Sequence, residues 1–372
     1  MKLGYVAPYS SSFSLSANSV HVFKMCDAYA SLGINTQLFL DGLNPKTKPN
    51  PDYSDIFDLS YDFSVCSISN LNFFRTFRLT FLIPNRLKSL GVNLVHTRNV
   101  AVAFGSAVLF GIPTILELHN LPPGGRKVGF LFNSFIRSKT AKALICITQK
   151  LATDINMRYQ LKCPNYVFPD GVSKKYLVGC FNRSKLKKDL YENLSESKWI
   201  VYTGSFYKGK GPDFIFELAN LRPDLIFILV GNYGSLNQSF IHQNVILIGE
   251  RPINEVIKYQ RAADILLLPI SNFVLGAGRN SEDISSYTSP LKMFEYMASK
   301  SPIIASTLPV LGEILRHNDN AIICDLDDLG KWSVAIDDLL ADKNFSNKIS
   351  SSAFLDVQSF TWEERAKKTL AI

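Results

Sequence analysis

The chain lacks any run of the ~18–20 apolar residues that a membrane-spanning helix needs, although 47% of its 372 residues are hydrophobic. No signal peptide is expected in its opening residues: MKLGYVAPYSSS is apolar over too few positions and reads as a first buried strand. A cytoplasmic protein is expected. Cysteine is sparse. Cys26, Cys66, Cys146, Cys163, Cys180 and Cys324 are scattered, with no C-x-x-C and no histidine pair nearby. That speaks against a disulfide framework or a zinc site and for buried thiols in a reducing compartment; no metal is expected. Neither G-x-G-x-x-G nor G-x-x-x-x-G-K-[ST] occurs, so a nicotinamide enzyme loses most of its support. No internal repeat or low-complexity run is visible.

What is present is an alternation of apolar runs and helical stretches. KLGYVA, NTQLFL, 92–97, 113–118, 143–148 and 165–169 form a first series of buried-strand candidates. A second series starts at 198–204 and continues through 225–231, 244–250, 264–269, 302–307 and 321–325. Most are rich in Val, Ile and Leu without strict alternation, as strands covered on both faces are. Strands separated by helices imply parallel sheets of βαβ units. The polar segment 173–198 interrupts the series and predicts two domains, 1–175 and 176–355, with a C-terminal helix over 356–372 returning to the first. Ligands of such sheets bind beyond the strand C-termini.

Charge divides unevenly. Residues 1–175 hold 19 Lys+Arg against 9 Asp+Glu, and residues 176–372 hold 21 against 23, so the first half carries the whole excess behind the net +8. That half is expected to meet something anionic.

The most informative stretch is Thr288-Ser289-Pro290-Leu291-Lys292-Met293-Phe294-Glu295. Ser289 is a suitable N-cap and Pro290 suits the first helical position. The leading amides of Leu291 and Lys292 would then face an anion such as a diphosphate. Lys292 opposes the helix dipole, and an anion nearby would repair that. Glu295 lies one turn on, on the same face, ~7 Å deeper along the axis from Pro290, an offset that suits ribose hydroxyls. Upstream, Gly204-Ser205-Phe206-Tyr207-Lys208-Gly209-Lys210-Gly211 follows a strand. Its glycines allow close approach, and Lys208 or Lys210 can reach a phosphate.

Taken in order, SANSVHVFKMCDAYASLGINTQLF, VHTRN, LELHN, FPDGV (168–172), YTGSFYKGKG, YQRAADILLLP, SPLKMFEYMASKSPIIAS and FTWEERA resemble the retaining glycosyltransferases of family 4, in an SPLK-x-x-E variant branch. The resemblance spans nearly the whole chain. It implies the α/β GT-B fold: two Rossmann-like domains whose parallel sheets face a central cleft, an N-terminal acceptor domain and a C-terminal nucleotide-sugar donor domain. It implies transfer, with retention, of a hexose-type sugar from a UDP- or GDP-sugar to a saccharide or lipid-linked saccharide, in cell-surface polysaccharide synthesis such as lipopolysaccharide or capsule. No further cofactor is implied. Lys210 would neutralise the diphosphate, Glu295 would hold the ribose, Leu291 and Lys292 would place backbone near the phosphates, and His119 would touch the transferred sugar.

Two positions depart from the family pattern. Tyr287 stands where the first Glu of E-x7-E is expected, leaving Glu282 or Asp283 as substitutes, and Ser205 replaces an Arg that often follows the strand glycine. A nucleotide-sugar epimerase or hydrolase on the same fold, or a non-catalytic nucleotide-sugar-binding subunit, are the alternatives. Asp325-Leu326-Asp327 spells D-x-D but follows a late strand and reads as a loop or helix-start cluster. Finally, Phe73 to Lys88 and residues 126–142 interleave aromatics with cations. They suggest a weak peripheral contact with the anionic inner face of a membrane, or else amphipathic core helices with basic outer faces. No nucleic-acid module is recognised.

Overall fold

The Val-, Ile- and Leu-rich runs become strands of two parallel sheets. A computed structural model describes residues 1–8, 16–41, 53–68, 75–234, 242–274, 283 and 285–372. They divide into two units: Met1–Asp170 with Trp362–Ile372, and Gly171–Thr361.

The first unit begins with β1 (Lys2–Ala7), α1 (Ala17–Ser31), β2 (Asn35–Asp41), α2 (Tyr53–Phe57) and β3 (Ser64–Ile68). Next come α3 (Arg75–Phe77), a π-turn at Arg78–Leu82, α4 (Ile83–Ser89), β4 (Leu94–Thr97) and α5 (Val100–Phe104). It continues with β5 (Thr114–Leu118), α6 (Arg126–Ile136), β6 (Ala141–Cys146), α7 (Gln149–Arg158) and β7 (Asn165–Val167). The strands pair in the order β3-β2-β1-β4-β5-β6-β7, each pair parallel. The order reverses between β1 and β4, the point at which doubly wound sheets hold ligands. Ser16 starts α1 by accepting the Ser19 amide at 3.3 Å, and the helix is buried from Ser19 to Tyr29.

In the second unit, α8 (Arg183–Leu190), β8 (Trp199–Thr203), α9 (Pro212–Leu221), β9 (Ile226–Val230), β10 (Val245–Ile248) and α10 (Ile253–Ala262) come first. Then follow β11 (Ile265–Leu268), α11 (Leu291–Ala298), β12 (Ile303–Ser306), β13 (Ile322–Cys324), α12 (Leu329–Ala341) and α13 (Lys343–Val357). The sheet order is β10-β9-β8-β11-β12-β13, again parallel, reversing between β8 and β11. Trp199 on β8 and Trp332 on α12 are fully buried, and truncating either to Ala would cost about 3–5 kcal/mol. The polar segment after residue 173 is tied into this unit: the Arg183 guanidinium donates to Lys300 O and Ser301 Oγ at 3.0 Å, and Lys187 pairs with Asp264 at 2.6 Å. Past Thr361, α14 (Trp362–Leu370) belongs to the first unit and packs on α1.

β3 is a strand that the apolar-run reading does not find. SVCSI is an edge strand with partly exposed side chains, so it needs no continuous hydrophobic run. The expectation of uniformly buried thiols needs correcting: four are buried, but Cys66 is half-buried and Cys180 exposed. Burial pushes the Cys146 thiol up to about 12 and Cys163 to about 11, which makes both unreactive. Among the described residues no helix is long and apolar enough to cross a membrane.

Candidate functional site

In the second unit the residues singled out from the sequence gather beyond the C-terminal end of β8. Gly204 follows that strand at φ +130°, and a Cβ there would fall 2.7 Å from Lys292 Nζ. Only glycine leaves room for the ammonium. Gly211, at φ +94°, is the N-cap residue of α9. Helix α11 begins one residue later than expected. Pro290, in an extended conformation, is the N-cap residue, no side chain caps the helix, and Ser289 lies outside it. Proline has no amide hydrogen to lose at such a position.

Lys292 is half-buried as a residue, but its Nζ is sealed from solvent and has no hydrogen-bond partner among the described residues. It sits 3.7 Å above the centre of the Tyr202 ring. That cation–π contact is worth about 2 kcal/mol when desolvated, well short of what hydration would supply. Burial first, and then the charge of Lys210, hold the Lys292 ammonium well below its ordinary pKa, with Glu295 pulling the other way. Lys210 is itself lowered by burial. Glu295 Oε2 accepts from Gln260 Nε2 at 3.0 Å, and the same amide nitrogen reaches Thr203 Oγ1 at 2.9 Å. Tyr296, on the same helix, accepts the Thr203 amide at 2.8 Å, so α11 is fastened to the end of β8. This end of the unit thus holds two cations and a half-buried carboxylate, together with Gly204.

The remaining candidates make other contacts. Lys208 is exposed and Ser205 half-buried; the carbonyl of Ser205 accepts from Tyr202 Oη at 2.9 Å. Asp283 accepts the amides of Val274 and Ser285, both at 2.9 Å, and the Ser285 hydroxyl at 3.0 Å, so its carboxylate closes a loop. Tyr287 is buried, and Glu282 lies outside the described residues. Asp325 and Asp327 occupy the turn between β13 and α12, where the Asp325 carbonyl accepts the Trp332 indole at 2.9 Å.

The first unit contains a cluster that sequence reading did not assemble. His119 follows β5 and bonds through Nε2 to Glu117 Oε1. Glu117 is fully buried inside that strand. His96 Nε2 reaches its other oxygen at 3.1 Å, and Arg365 Nη1 from α14 does so at 3.0 Å. His21 Nε2 lies 2.8 Å from Glu117 Oε1, close enough for an ion pair but off the line of a hydrogen bond. Its Nδ1 is 2.7 Å from Asp170 Oδ1. Burial alone would raise Glu117, but Arg365 and His21 overcome it and hold the carboxylate well below the usual range. Asp170 is lowered in the same way by His21. Burial, and then the charge of Arg98, lower His119 to about 4; its side chain keeps 21% of its surface open, so solvent tempers that shift. Ligand-type atoms of His21, His119 and Asp170 lie within 4.8 Å of one another. They are already bound to each other or to Glu117, and a cation would have to displace those bonds beside the Arg365 guanidinium.

Comparison with known proteins gives the same division. Residues 19–175 match the model of "Glycosyltransferase Family 4" and residues 197–342 that of "Glycosyl transferases group 1". The chain belongs among the GT-B glycosyltransferases. The D-inositol 3-phosphate glycosyltransferase of Corynebacterium diphtheriae is 23% identical over 189 residues, a match covering 46% of this chain and 41% of that protein. Sucrose-phosphate synthase from Thermosynechococcus elongatus shares 15% identity at a TM-score of 0.74, over 100% of this chain and 98% of that one. Anabaena HepE in complex with UDP-glucose shares 14% at 0.73, over 100% and 99%. At these identities the structural likeness shows the fold alone.

In this GT-B glycosyltransferase the cluster around Glu117 draws on residues 21, 96, 117, 119, 170 and 365. One signal pointing to it is a charged residue within the apolar strand TILEL. The aromatic, basic segments lie in the same unit. Phe77 stacks on Phe81 at 5.3 Å, and Phe81 meets Phe110 at 5.1 Å. Phe77, Phe81, Leu82 and Phe130 are exposed, Phe130 by 65%, while Phe132, Phe135 and Ile136 on α6 and Leu79, Ile83 and Leu87 are buried. Arg78 is buried as well. Phe73 and Phe74 lie outside the described residues.

Proposed function

We propose that this chain transfers a hexose-type sugar, with retention, from a UDP- or GDP-sugar to a saccharide or lipid-linked saccharide in cell-surface polysaccharide synthesis. The observation that carries the reading is the Lys292 ammonium, buried beside Lys210 and Gly204 with no hydrogen-bond partner among the described residues. A buried cation without a counter-ion is costly, and a diphosphate beyond β8 would supply the missing charge. Departure of a nucleoside diphosphate builds negative charge on its terminal phosphate. Fixed cations and the leading amides of α11 would stabilise that charge as it develops. In retention by same-face attack, the anomeric carbon–phosphate oxygen bond breaks as the acceptor oxygen bonds to that carbon. The acceptor proton passes to the departing phosphate, so no enzyme carboxylate need act as nucleophile. Glu295, one turn into α11, would hold the ribose hydroxyls, and His119 would meet the transferred sugar.

The first unit would be the acceptor domain, making weak contact with an anionic membrane surface. Exposed Phe77, Phe81, Leu82 and Phe130, with exposed Arg86, Lys88, Arg126 and Lys127 on the same stretches, support that partner. Labelled UDP- and GDP-sugars incubated with membrane extract test the whole reading. A labelled glycolipid or oligosaccharide is expected. Release of free sugar or nucleotide without acceptor would point instead to an epimerase or hydrolase, and binding without turnover to a non-catalytic subunit. Glu295→Ala and Lys210→Ala should each lower transfer about 10²-fold or more with folding intact. Wild-type rates in either would remove these residues from the site.

A further inference from the structure

Glu117 is crowded. Two oxygens meet His21 Nε2 at 2.8 Å, His96 Nε2 at 3.1 Å, Arg365 Nη1 at 3.0 Å and His119 Nε2. An ionised carboxylate accepts at about four sites and donates at none, so each nitrogen that hydrogen-bonds to it, from His96, His119 and Arg365, carries hydrogen. For His96 the assignment closes: with Nε2 protonated, Nδ1 is bare and takes the Tyr29 hydroxyl at 2.8 Å. His21 meets Asp170 through Nδ1 at 2.7 Å, while its Nε2 lies near Glu117 but off the line of a hydrogen bond. Burial, and then the charge of Arg98, lower His119 to about 4, so near pH 7 its ring is neutral, and the nitrogen that faces the Glu117 carboxylate is Nε2. Its one proton sits on Nε2. Nδ1 is left bare on a ring that is partly open, and no described group bonds to it.

We propose that Glu117 is a positioning residue that fixes His119 as the Nε2–H tautomer, and that the bare Nδ1 selects a sugar hydroxyl able to donate a hydrogen bond. The inference rests on the nucleotide-sugar reading and adds the direction of one hydrogen bond. An acceptor at His119 discriminates differently from a donor. Replacing the hydroxyl it reads with fluorine, which cannot donate, is as damaging as removing it altogether. A donor at the same place would tolerate fluorine better than hydrogen.

Two measurements test this on the full-length protein. Long-range proton–nitrogen correlation NMR with 15N-histidine, near pH 7, reads the tautomer in the wild type without any variant. The expected result is a protonated Nε2 and a bare Nδ1 on His119; a proton on Nδ1 overturns the proposal whatever the activity. Deoxy and deoxyfluoro donor sugars, scanned position by position, read its consequence. At one position both analogues should lose kcat/KM on the order of 10²-fold, less than the 10⁴–10⁵ of enclosed sites because the ring edge stays wet. In Glu117→Gln, whose amide can donate as well as accept, His119 is released from its tautomer and the fluorine penalty should fall to within about 5-fold. Full activity of the fluoro sugar at every position overturns the proposal. No turnover of any nucleotide sugar would instead remove the transfer reading, and the NMR result would still decide the tautomer.

Discussion

Lys292→Met separates the cost of a buried charge from its use. Methionine matches the length of the lysine stem, is neutral, and packs well against the Tyr202 ring. In the unliganded protein the ammonium has no hydrogen-bond partner among the described residues, and leaving such a group buried costs about 1–3 kcal/mol. Its removal should therefore stabilise the protein. For a domain of 150–250 residues, each kcal/mol moves Tm by about 2–4 °C, so the variant should melt about 2–12 °C higher than the wild type. Nucleotide should act in the opposite sense. A charge-assisted hydrogen bond is worth about 1.5–3 kcal/mol, which raises Kd about 10- to 100-fold. At nucleoside diphosphate held at 100 times the wild-type Kd, bound ligand stabilises by about 2.7 kcal/mol, and in the variant by only about 0.4–1.4 kcal/mol. Thermal melts of both proteins, with and without UDP or GDP, give all four values. A variant that melts lower without ligand, or that keeps the full ligand-induced rise, would refute the assignment of Lys292 to the diphosphate.

Other expectations follow from the same charges. The folded pKa of Lys292 is lowered, so between that value and the unfolded one near 10.4 the unfolded chain holds more protons, and stability should rise with pH. Denaturant midpoints should show the rise in the wild type and lose this contribution in Lys292→Met. At the acid end His96 and His119 are also lowered; each resists protonation that the unfolded chain accepts below about 6.5. Stability should fall as pH drops from about 6.5 towards 4, with His119 contributing at most about 3 kcal/mol. Arg365→Met strands the Glu117 carboxylate and should cost about 3–5 kcal/mol in urea unfolding; a cost below 1 kcal/mol would mean that the His residues suffice to hold it.

Much of the fold was legible because parallel strands covered on both faces announce themselves as runs of Val, Ile and Leu. Strands β8, β9 and β11 lie within one or two residues of the expected bounds. β3 was not, since an edge strand with partly exposed positions carries no such run. The start of α11 was misplaced by one residue because Pro290 fits the N-cap as well as the first turn, and only its backbone angles decide. Local placement was legible where it lies in one window, as with Lys292 and Glu295 in the first turns of α11. The ring of groups around Glu117 was not, because its members come from six positions between 21 and 365 that only the sheet and α14 bring together.

Helix α14 sets an order of events in synthesis. Arg365 reaches Glu117 only after the whole of the second unit has been translated, some 200 codons beyond Asp170, or roughly 10–40 s at 5–20 residues per second. Until then the nascent first half contains an interior acid without its guanidinium and a helix, α1, with one flank bare. A ribosome-tethered fragment ending before residue 361 should be sensitive to protease, and adding the missing helix as a peptide should protect it.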